Sequence, residues 1–405
     1  MQAIIVIPGH EKLRWYGGPS ALTRIVGGVP MLTRIIKTAL RGGVDSVILI
    51  WPEGVPTKAW HDCQSRLTTE ETSKVNLIPT KQFEAHSPAD WMPIADLLGD
   101  RILWLPWNWV THKRAMQSLQ AMDAMPANIT IPSIIAKEAL SGKAFAEPSQ
   151  ERPDGVRVTS DFNAREAEKL LVAHSGKPLD GIYSTFNRKL CRPVVRWLSN
   201  TSITPNAVTL AGLAVAVVSA GMFAEGSYLA YVCGALMFFL SGLFDEMDGM
   251  LARVTFRESA FGTWFEGFVD NATYLLVFSG ITVGLYRQLG ARELLYGVAL
   301  LAGCVLSVLV INLQRKQSTD PSRPNEYLGK MYGLLDGDSS NLISRVTRHI
   351  HVFLKKAVAI HYLLLFTILG GLPVFLRLAA FGSNLTWILT LYFGRRFFGR
   401  LARNT

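Results

Sequence analysis

The chain of 405 residues has little cysteine and little charge for its length. Its four cysteines, Cys63, Cys191, Cys233 and Cys304, have the spacing of neither a disulfide framework nor a metal-binding motif, which excludes a fold held together by disulfides. Charged residues make up 18% of the chain and hydrophobic residues 49%, so the chain is too apolar to be wholly soluble. Its first part is too charged to lie in a membrane. We therefore predict two unlike halves.

The N-terminus also lacks a secretory signal. Residues 1–8 contain no basic residue, and the apolar run over residues 3–7 is too short for the hydrophobic segment of a signal peptide. We expect the first domain to remain in the cytoplasm. The net charge of +10 does not indicate a nucleic-acid partner, because Lys and Arg are spread among segments that flank apolar runs, where they suit anionic membrane lipids.

Alternating strand and helix patterns over residues 1–175 predict a doubly wound α/β domain. Strands are expected at residues 3–7, 46–51, 75–78 and 101–105, and helices at residues 30–41, 89–98, 113–122 and 164–173. Residues 176–200 form a linker and an amphipathic helix with basic and apolar faces, which favours the membrane interface. Lys177, Arg188 and Arg192 in this segment suit either lipid anchoring or phosphate binding.

Six apolar runs in residues 201–405 predict an all-α transmembrane domain of six helices. The runs cover residues 207–223, 228–244, 272–285, 294–311, 358–372 and 374–393. If the N-terminus is cytoplasmic, the basic segments 251–259, 314–356 and 395–403 all fall on the cytoplasmic side, as the positive-inside rule requires. We expect an integral membrane protein of a bacterial inner (plasma) membrane.

Acidic and small residues recur at helical spacing beside two of these runs. Asp245, Asp248, Gly249 and Ala252 share one helix face at i, i+3, i+4 and i+7. Gly262, Glu266 and Asp270 follow at steps of four. Carboxylates at the ends of apolar helices are costly and usually functional. Oxygen ligands without Cys or a nearby His favour Mg²⁺ or Mn²⁺, so the pattern predicts a divalent-metal site.

The run DxxDGxxAR from Asp245 to Arg253, followed after eight residues by GxxxExxxD from Gly262 to Asp270, resembles the signature of the CDP-alcohol phosphotransferase family. The family has Asp where Glu266 stands. The resemblance implies transfer of a phospho-alcohol group from a CDP-alcohol donor to an alcohol, polyol-phosphate or lipid acceptor, with release of CMP. The resemblance is also compatible with a homodimer.

The resemblance assigns roles to particular residues. Asp245, Asp248, Glu266 and Asp270 would hold two divalent cations, and Asp270 would also be the base for the attacking hydroxyl. Gly249, Ala252 and Gly262 would leave room for the nucleotide. Arg253 would contact substrate or, equally, serve as a snorkelling or ion-paired cation. The site would open to the cytoplasm.

The first domain resembles a sugar-nucleotide nucleotidyltransferase over residues 21–32. Its turn at residues 9–18 has scattered glycines, where such enzymes cradle a triphosphate, and Asn108 stands where they have a metal-binding Asp. Asp161 is a candidate for the second acidic position. We predict a degenerate nucleotidyltransferase-like domain, similar to that of inositol-phosphate cytidylyltransferase/phosphotransferase fusions, although Thr185 replaces an Arg usual in those fusions.

Three alternatives remain open from the sequence. The chain could be bifunctional and also make its CDP-alcohol from CTP. It could be a catalytically inactive membrane scaffold, because Glu266 departs from the family pattern. It could also be an ion-coupled transporter that uses the carboxylates as a relay, although a relay does not require the glycine and Ala-Arg spacing.

Overall fold

The computed structural model describes most of the chain. Described are residues 1–81, 83–84, 87–121, 133–136, 154–176, 182–318 and 356–395, together with 333–334, 343–345 and 347. Lys177 and most of the basic segments 314–356 and 395–403 lie outside the described residues.

Nine short strands are found among the described residues of the first part. In chain order they are Gln2–Val6 (β1), Ile25–Val26 (β2), Val29–Pro30 (β3), Ser46–Pro52 (β4), Val75–Thr80 (β5), Arg101–Trp104 (β6), Trp109–Val110 (β7), Ser133–Ala136 (β8) and Val156–Arg157 (β9). Five of them form one sheet in the order β5-β4-β1-β6-β8. β1, β4, β5 and β6 pair in parallel, and β8 is antiparallel at the edge.

The sheet confirms the predicted α/β class. β1 and β4 are continuous apolar runs with almost fully buried side chains, as expected for strands covered on both faces. The helices of this part are His10–Arg14 (α1), Met31–Gly42 (α2), Lys58–Gln64 (α3), Thr69–Ser73 (α4), Pro88–Trp91 (α5), Lys113–Gln120 (α6) and Asp161–Ala173 (α7). The single helix predicted for residues 89–98 is instead α5 followed by a 3-10 helix, Met92–Leu97, because Pro93 lacks the N–H that a continuous α-helix needs.

Long helices dominate the rest of the described chain. They are Ile182–Ser199 (α8), Pro205–Glu225 (α9), Tyr228–Thr255 (α10), Ala260–Leu289 (α11), Ala291–Ser318 (α12), Lys356–Ile368 (α13) and Leu372–Phe393 (α14). Five of them, α9 to α12 and α14, are long and apolar enough to cross a membrane. The remaining predicted span, residues 358–372, corresponds to α13, which is apolar but has only 13 residues, so the count of six is approximate.

The chain divides into two compact units. The first contains Met1–Pro178, Arg192–Ile203 and Met250–Arg257, and the second contains Leu179–Cys191, Thr204–Gly249 and Glu258–Thr405. The first unit therefore includes the end of α8 and the end of α10 as well as the α/β sheet.

A buried arginine organises the first unit. Arg34 on α2 is 1% exposed, and its guanidinium donates to the carbonyls of Val26, Gly27 and Val254 at 2.8, 3.0 and 2.7 Å. Burial lowers the pKa of Arg34 to about 9, and the charge of Glu168 opposes that shift. The side chain therefore stays charged at neutral pH, and its donors tie the β2–β3 turn to the last turn of α10.

Glu168 on α7 makes a second set of contacts around the same turn. Its carboxylate accepts from the backbone N–H of Gly27 and from the Asn200 amide, both at 3.1 Å, and pairs with Arg196 at 3.3 Å. A buried carboxylate is stable only when several donors satisfy it, as here. The contact therefore fixes the end of α8 within the first unit.

We predict that Gly28→Ala destabilises the protein strongly. Gly28 has φ +77°, and an added Cβ would lie 1.9 Å from the Ser199 carbonyl oxygen. Gly18→Ala is a matched control, because Gly18 has φ +76° but no atom within 4 Å of the added Cβ. The control should lose about 1 kcal/mol from backbone strain alone, and Gly28→Ala at least twice that. Thermal unfolding of the full chain in detergent measures both, and equal losses would contradict the close contact.

Candidate active site

The acidic motif occupies two consecutive helices of the second unit. Asp245 and Asp248 lie on α10, and Glu266 and Asp270 lie on α11. Ser259 caps the start of α11 by accepting a hydrogen bond from the Gly262 N–H at 2.9 Å. Such a cap fixes the residue at which the helix begins. The start of the helix in turn determines the direction of the face that carries Gly262, Glu266 and Asp270.

Three of the four carboxylates come together. One oxygen each from Asp245, Asp248 and Glu266 lie within 4.8 Å of one another. Asp245 is exposed, Asp248 is buried and Glu266 is half-buried. The group therefore has one side open to a ligand and one side packed in protein, and its negative charges need a cation close by.

Asp270 lies one turn beyond Glu266 on the same face of α11 and outside the group of three. The Asp270 carboxylate therefore lies beside the group of three and could have a separate role.

Asp248 has a partner that the sequence did not indicate. The hydroxyl of Thr209, in the second turn of α9, donates to its carboxylate, and Asp248 is only 3% exposed. Threonine is common in apolar helices, where its hydroxyl usually bonds the carbonyl four residues back, so the residue type carries no signal of this contact. Thr209 orients the innermost carboxylate of the group.

Small residues of the motif allow close packing. Gly249 is buried and Ala252 is half-buried on α10. At Gly262 an added Cβ would lie 3.0 Å from the Ser259 hydroxyl and 3.3 Å from the Asn206 amide oxygen. Gly262 therefore brings the first turn of α11 close to the start of α9, and its predicted role toward a nucleotide remains a prediction.

Arg253 makes a contact that the sequence did not predict. Its Nε donates to the carbonyl oxygen of Ser175, within the first unit. The two roles considered from the sequence, substrate contact and pairing with the acidic residues, remain untested by this contact.

Arg188 lies in a buried ion pair. Its Nε is 2.7 Å from a carboxylate oxygen of Glu246, the residue that follows Asp245, and the two side chains are 9% and 13% exposed. A guanidinium so buried does not anchor to lipid headgroups, so that interpretation of Arg188 is wrong. His361 lies against Tyr183, and its Nε2 is 3.2 Å from the Asn187 amide oxygen.

The donor set of the group of three fits a hard divalent cation. All three ligands are carboxylates, and no His or Cys is part of the group. Mg²⁺ and Mn²⁺ prefer such oxygen donors, whereas zinc sites usually include nitrogen or sulfur. The residues present therefore suit the predicted class of metal.

Comparison with known proteins supports the resemblance drawn from the motif. Residues 202–392 match the family model of CDP-alcohol phosphatidyltransferase, a range that contains the whole acidic motif. This match confirms the family resemblance for the helical part of the chain. The match also supports an integral membrane phosphotransferase, together with the five membrane-length helices.

Similar curated proteins point to the same chemistry. An archaetidylinositol phosphate synthase of Methanothermobacter thermautotrophicus is 32% identical over 24% of this chain and 51% of its own length. Two proteins named bifunctional IPC transferase and DIPP synthase are also similar. That of Rubrobacter xylanophilus is 30% identical over 37% of this chain and 33% of its own length. That of Aquifex aeolicus is 25% identical over 58% of this chain and 49% of its own length. The matches thus span between a third and a half of these relatives.

We predict that Thr209→Val weakens cation binding about tenfold, as loss of a group that orients a metal ligand commonly does. Mn²⁺ titration of the purified protein, followed by electron paramagnetic resonance, measures the affinity. Thr282→Val is the matched control, because within the described part of the chain the buried Thr282 hydroxyl bonds only the Phe278 carbonyl of its own helix, at 2.7 Å. Equal affinities of the two variants would show that Thr209 does not orient Asp248 for metal binding.

Proposed function

We propose that this chain, whose residues 202–392 match the CDP-alcohol phosphatidyltransferase family, moves a phospho-alcohol group from a CDP-alcohol to a hydroxyl acceptor and releases CMP. The observation that carries the proposal is the convergence of Asp245, Asp248 and Glu266 at the motif, on two apolar helices. A scaffold has no need to hold three like charges together. An ion relay has no need of the adjoining glycines.

Metal ligation is assigned to the acidic residues of the motif. Asp245, Asp248 and Glu266 hold divalent cations, Mg²⁺ or Mn²⁺, and Asp270 completes the set. Two cations at this site would neutralise charge on the pyrophosphate and on the departing CMP oxygen. Glu266 is longer than the family's Asp by one methylene, so the geometry of ligation at this position must differ from that of the family.

Asp270 is the proposed base. It takes the proton of the acceptor hydroxyl as the hydroxyl oxygen forms a bond to phosphorus, and the phosphoanhydride bond to CMP breaks. Its position on α11, one turn beyond Glu266 and outside the group of three, supports this separate role.

The proposed acceptor is a polyol phosphate, with inositol phosphate as the first compound to test. The name of the Methanothermobacter relative refers to an inositol phosphate product, which supports this choice. A lipid alcohol is the second class, since the site lies on membrane helices. The proposed orientation places the first domain and the site on the cytoplasmic side of a bacterial inner membrane, where CDP-alcohols and Mg²⁺ are available.

The first domain is proposed to be a degenerate nucleotidyltransferase-like domain, over residues 1–175. After β1, residues 10–14 form the short helix α1 and not an open glycine-rich turn. Asn108 is 1% exposed, so its side chain does not face a bound nucleotide in solvent. Asp161 pairs with Arg24 at 3.2 Å, which supports a structural role for this second acidic position.

We predict that Asp270→Asn lowers kcat by a factor of about 100 or more, because the amide cannot accept the acceptor's proton. The assay incubates purified protein with a panel of CDP-alcohols, inositol phosphate and Mg²⁺, and detects CMP and product by mass. Glu258→Gln, a neutralised exposed acid just before α11, should retain activity. Turnover by Asp270→Asn at the wild-type rate would refute the assignment of the base.

We also predict that the chain does not release pyrophosphate from CTP and inositol phosphate, because residues 10–14, after β1, form the short helix α1 where a nucleotidyltransferase has its phosphate-cradling turn. A coupled pyrophosphate assay tests this on the same preparation that releases CMP in the panel assay. Clear pyrophosphate release would establish the bifunctional alternative and end the proposal of a degenerate domain.

A further inference from the structure

Two histidines and an aspartate meet in the first unit, outside the acidic motif. His112 caps the start of α6, Asp154 precedes β9 by two residues, and His174 caps the end of α7. One ligand atom from each lies within 4.8 Å of the others. Three segments far apart in the chain thus present imidazole and carboxylate groups to one point.

The distances suit a small metal ion. The Asp154 Oδ2 lies 3.0 Å from His112 Nε2 and 3.5 Å from His174 Nε2. Ligand atoms about 2.0 to 2.1 Å from a tetrahedral zinc ion are about 3.3 Å apart. The two observed separations lie on either side of that value.

The hydrogen bond made by His174 Nδ1 leaves a lone pair on Nε2 that faces Asp154. Its Nδ1 lies 2.9 Å from the Leu170 carbonyl oxygen, which can only accept, so Nδ1 carries the proton. In the neutral ring Nε2 then has a lone pair facing a carboxylate oxygen at 3.5 Å. Two electron-rich atoms at that distance repel each other, and a cation between them removes the repulsion.

Metal binding by His112 requires a change of tautomer. Its Nδ1 accepts from the Ala115 N–H at 3.3 Å, so in the neutral ring Nε2–H donates to Asp154. If Nε2 binds the metal ion, its proton must move to Nδ1. The long, weak hydrogen bond from the Ala115 N–H to Nδ1, which caps α6, is then lost. The two imidazole rings, now stacked with centroids 3.9 Å apart, must also tilt apart.

Neighbouring groups fix the three segments. The Thr111 hydroxyl donates to the backbone carbonyl of Asp154, and Arg114 donates to the carbonyl of Gly176 at 2.9 Å. The Asp154 side chain is 54% exposed, so an ion can enter from solvent. A metal site requires ligands that neighbouring groups hold in place and a side from which the ion can enter, and this group has both.

We propose that His112, Asp154 and His174 bind a divalent transition-metal ion, with zinc the best fit and water completing its coordination. Imidazole nitrogen selects zinc and similar ions over Mg²⁺, so this site is chemically distinct from the carboxylate group on α10 and α11. The ion joins the ends of α6 and α7 to the chain before β9, and stabilises the first unit.

The test uses the full chain, purified in detergent without a polyhistidine tag and with millimolar Mg²⁺ to occupy the carboxylate site. Zinc is titrated against a chromophoric chelator, and cobalt(II) absorption reports the geometry. We expect one zinc ion per chain, a tetrahedral cobalt spectrum, and a zinc-dependent rise in the unfolding temperature. Asp154→Asn and His174→Gln should each weaken zinc binding 10-fold to 100-fold.

His61→Gln is the matched control, because His61 also has its Nδ1 beside the carbonyl four residues back, at 2.8 Å from Thr57, but lies outside the group. It should leave zinc affinity unchanged. Equal weakening by all three variants, the absence of a tetrahedral cobalt spectrum, or no zinc binding in the presence of Mg²⁺ would overturn the proposal. Because each readout is independent of CMP release, failure here and failure of the proposed activity are distinguishable.

Discussion

The repulsion among carboxylates on two apolar helices is the constraint on which the second unit depends. At a separation of 4.8 Å, the upper limit within this group, two like charges at an effective dielectric constant of 20 repel by roughly 3 to 4 kcal/mol. The cap at Ser259, the close packing at Gly262 and the hydrogen bond from Thr209 hold the three groups together against that repulsion. A fold that maintains such an arrangement is ready for a cation, and the binding energy of the cation offsets the cost of the assembled charges.

Much of this arrangement was predictable because it depends on helical period. The i, i+3, i+4 and i+7 spacing from Asp245 to Ala252 and the steps of four from Gly262 to Asp270 determine which residues share a face. Runs of apolar residues likewise indicated the long helices and the buried strands β1 and β4. These features depend on residues close together in the chain, so they can be predicted from the sequence alone.

Contacts between distant segments were not predictable in the same way. Thr209 and Asp248 lie on different helices, as do Arg188 and Glu246, and none of these residue types is unusual in its own segment. The edge strand β8 has four residues, too few to show an alternating pattern. Arg34 and Val254 are 220 positions apart in the chain, and no local sequence pattern indicates the hydrogen bond between them. The residues that suggested nucleotide chemistry, around Gly27 and Gly28, instead pack against the ends of α8 and α10.

Helix α10 is a single unbroken rod of 28 residues, about 42 Å long at 1.5 Å per residue. Its length exceeds the roughly 30 Å of a typical hydrocarbon layer, and it has no hinge between its apolar part and the acidic motif. Tilting is one way in which a long helix adapts to a thinner or thicker bilayer, and a change in the tilt of α10 would change the depth of Asp245 and Asp248. Acyl-chain length in the surrounding lipid would thereby become a variable of the proposed reaction, even when the lipids are not substrates.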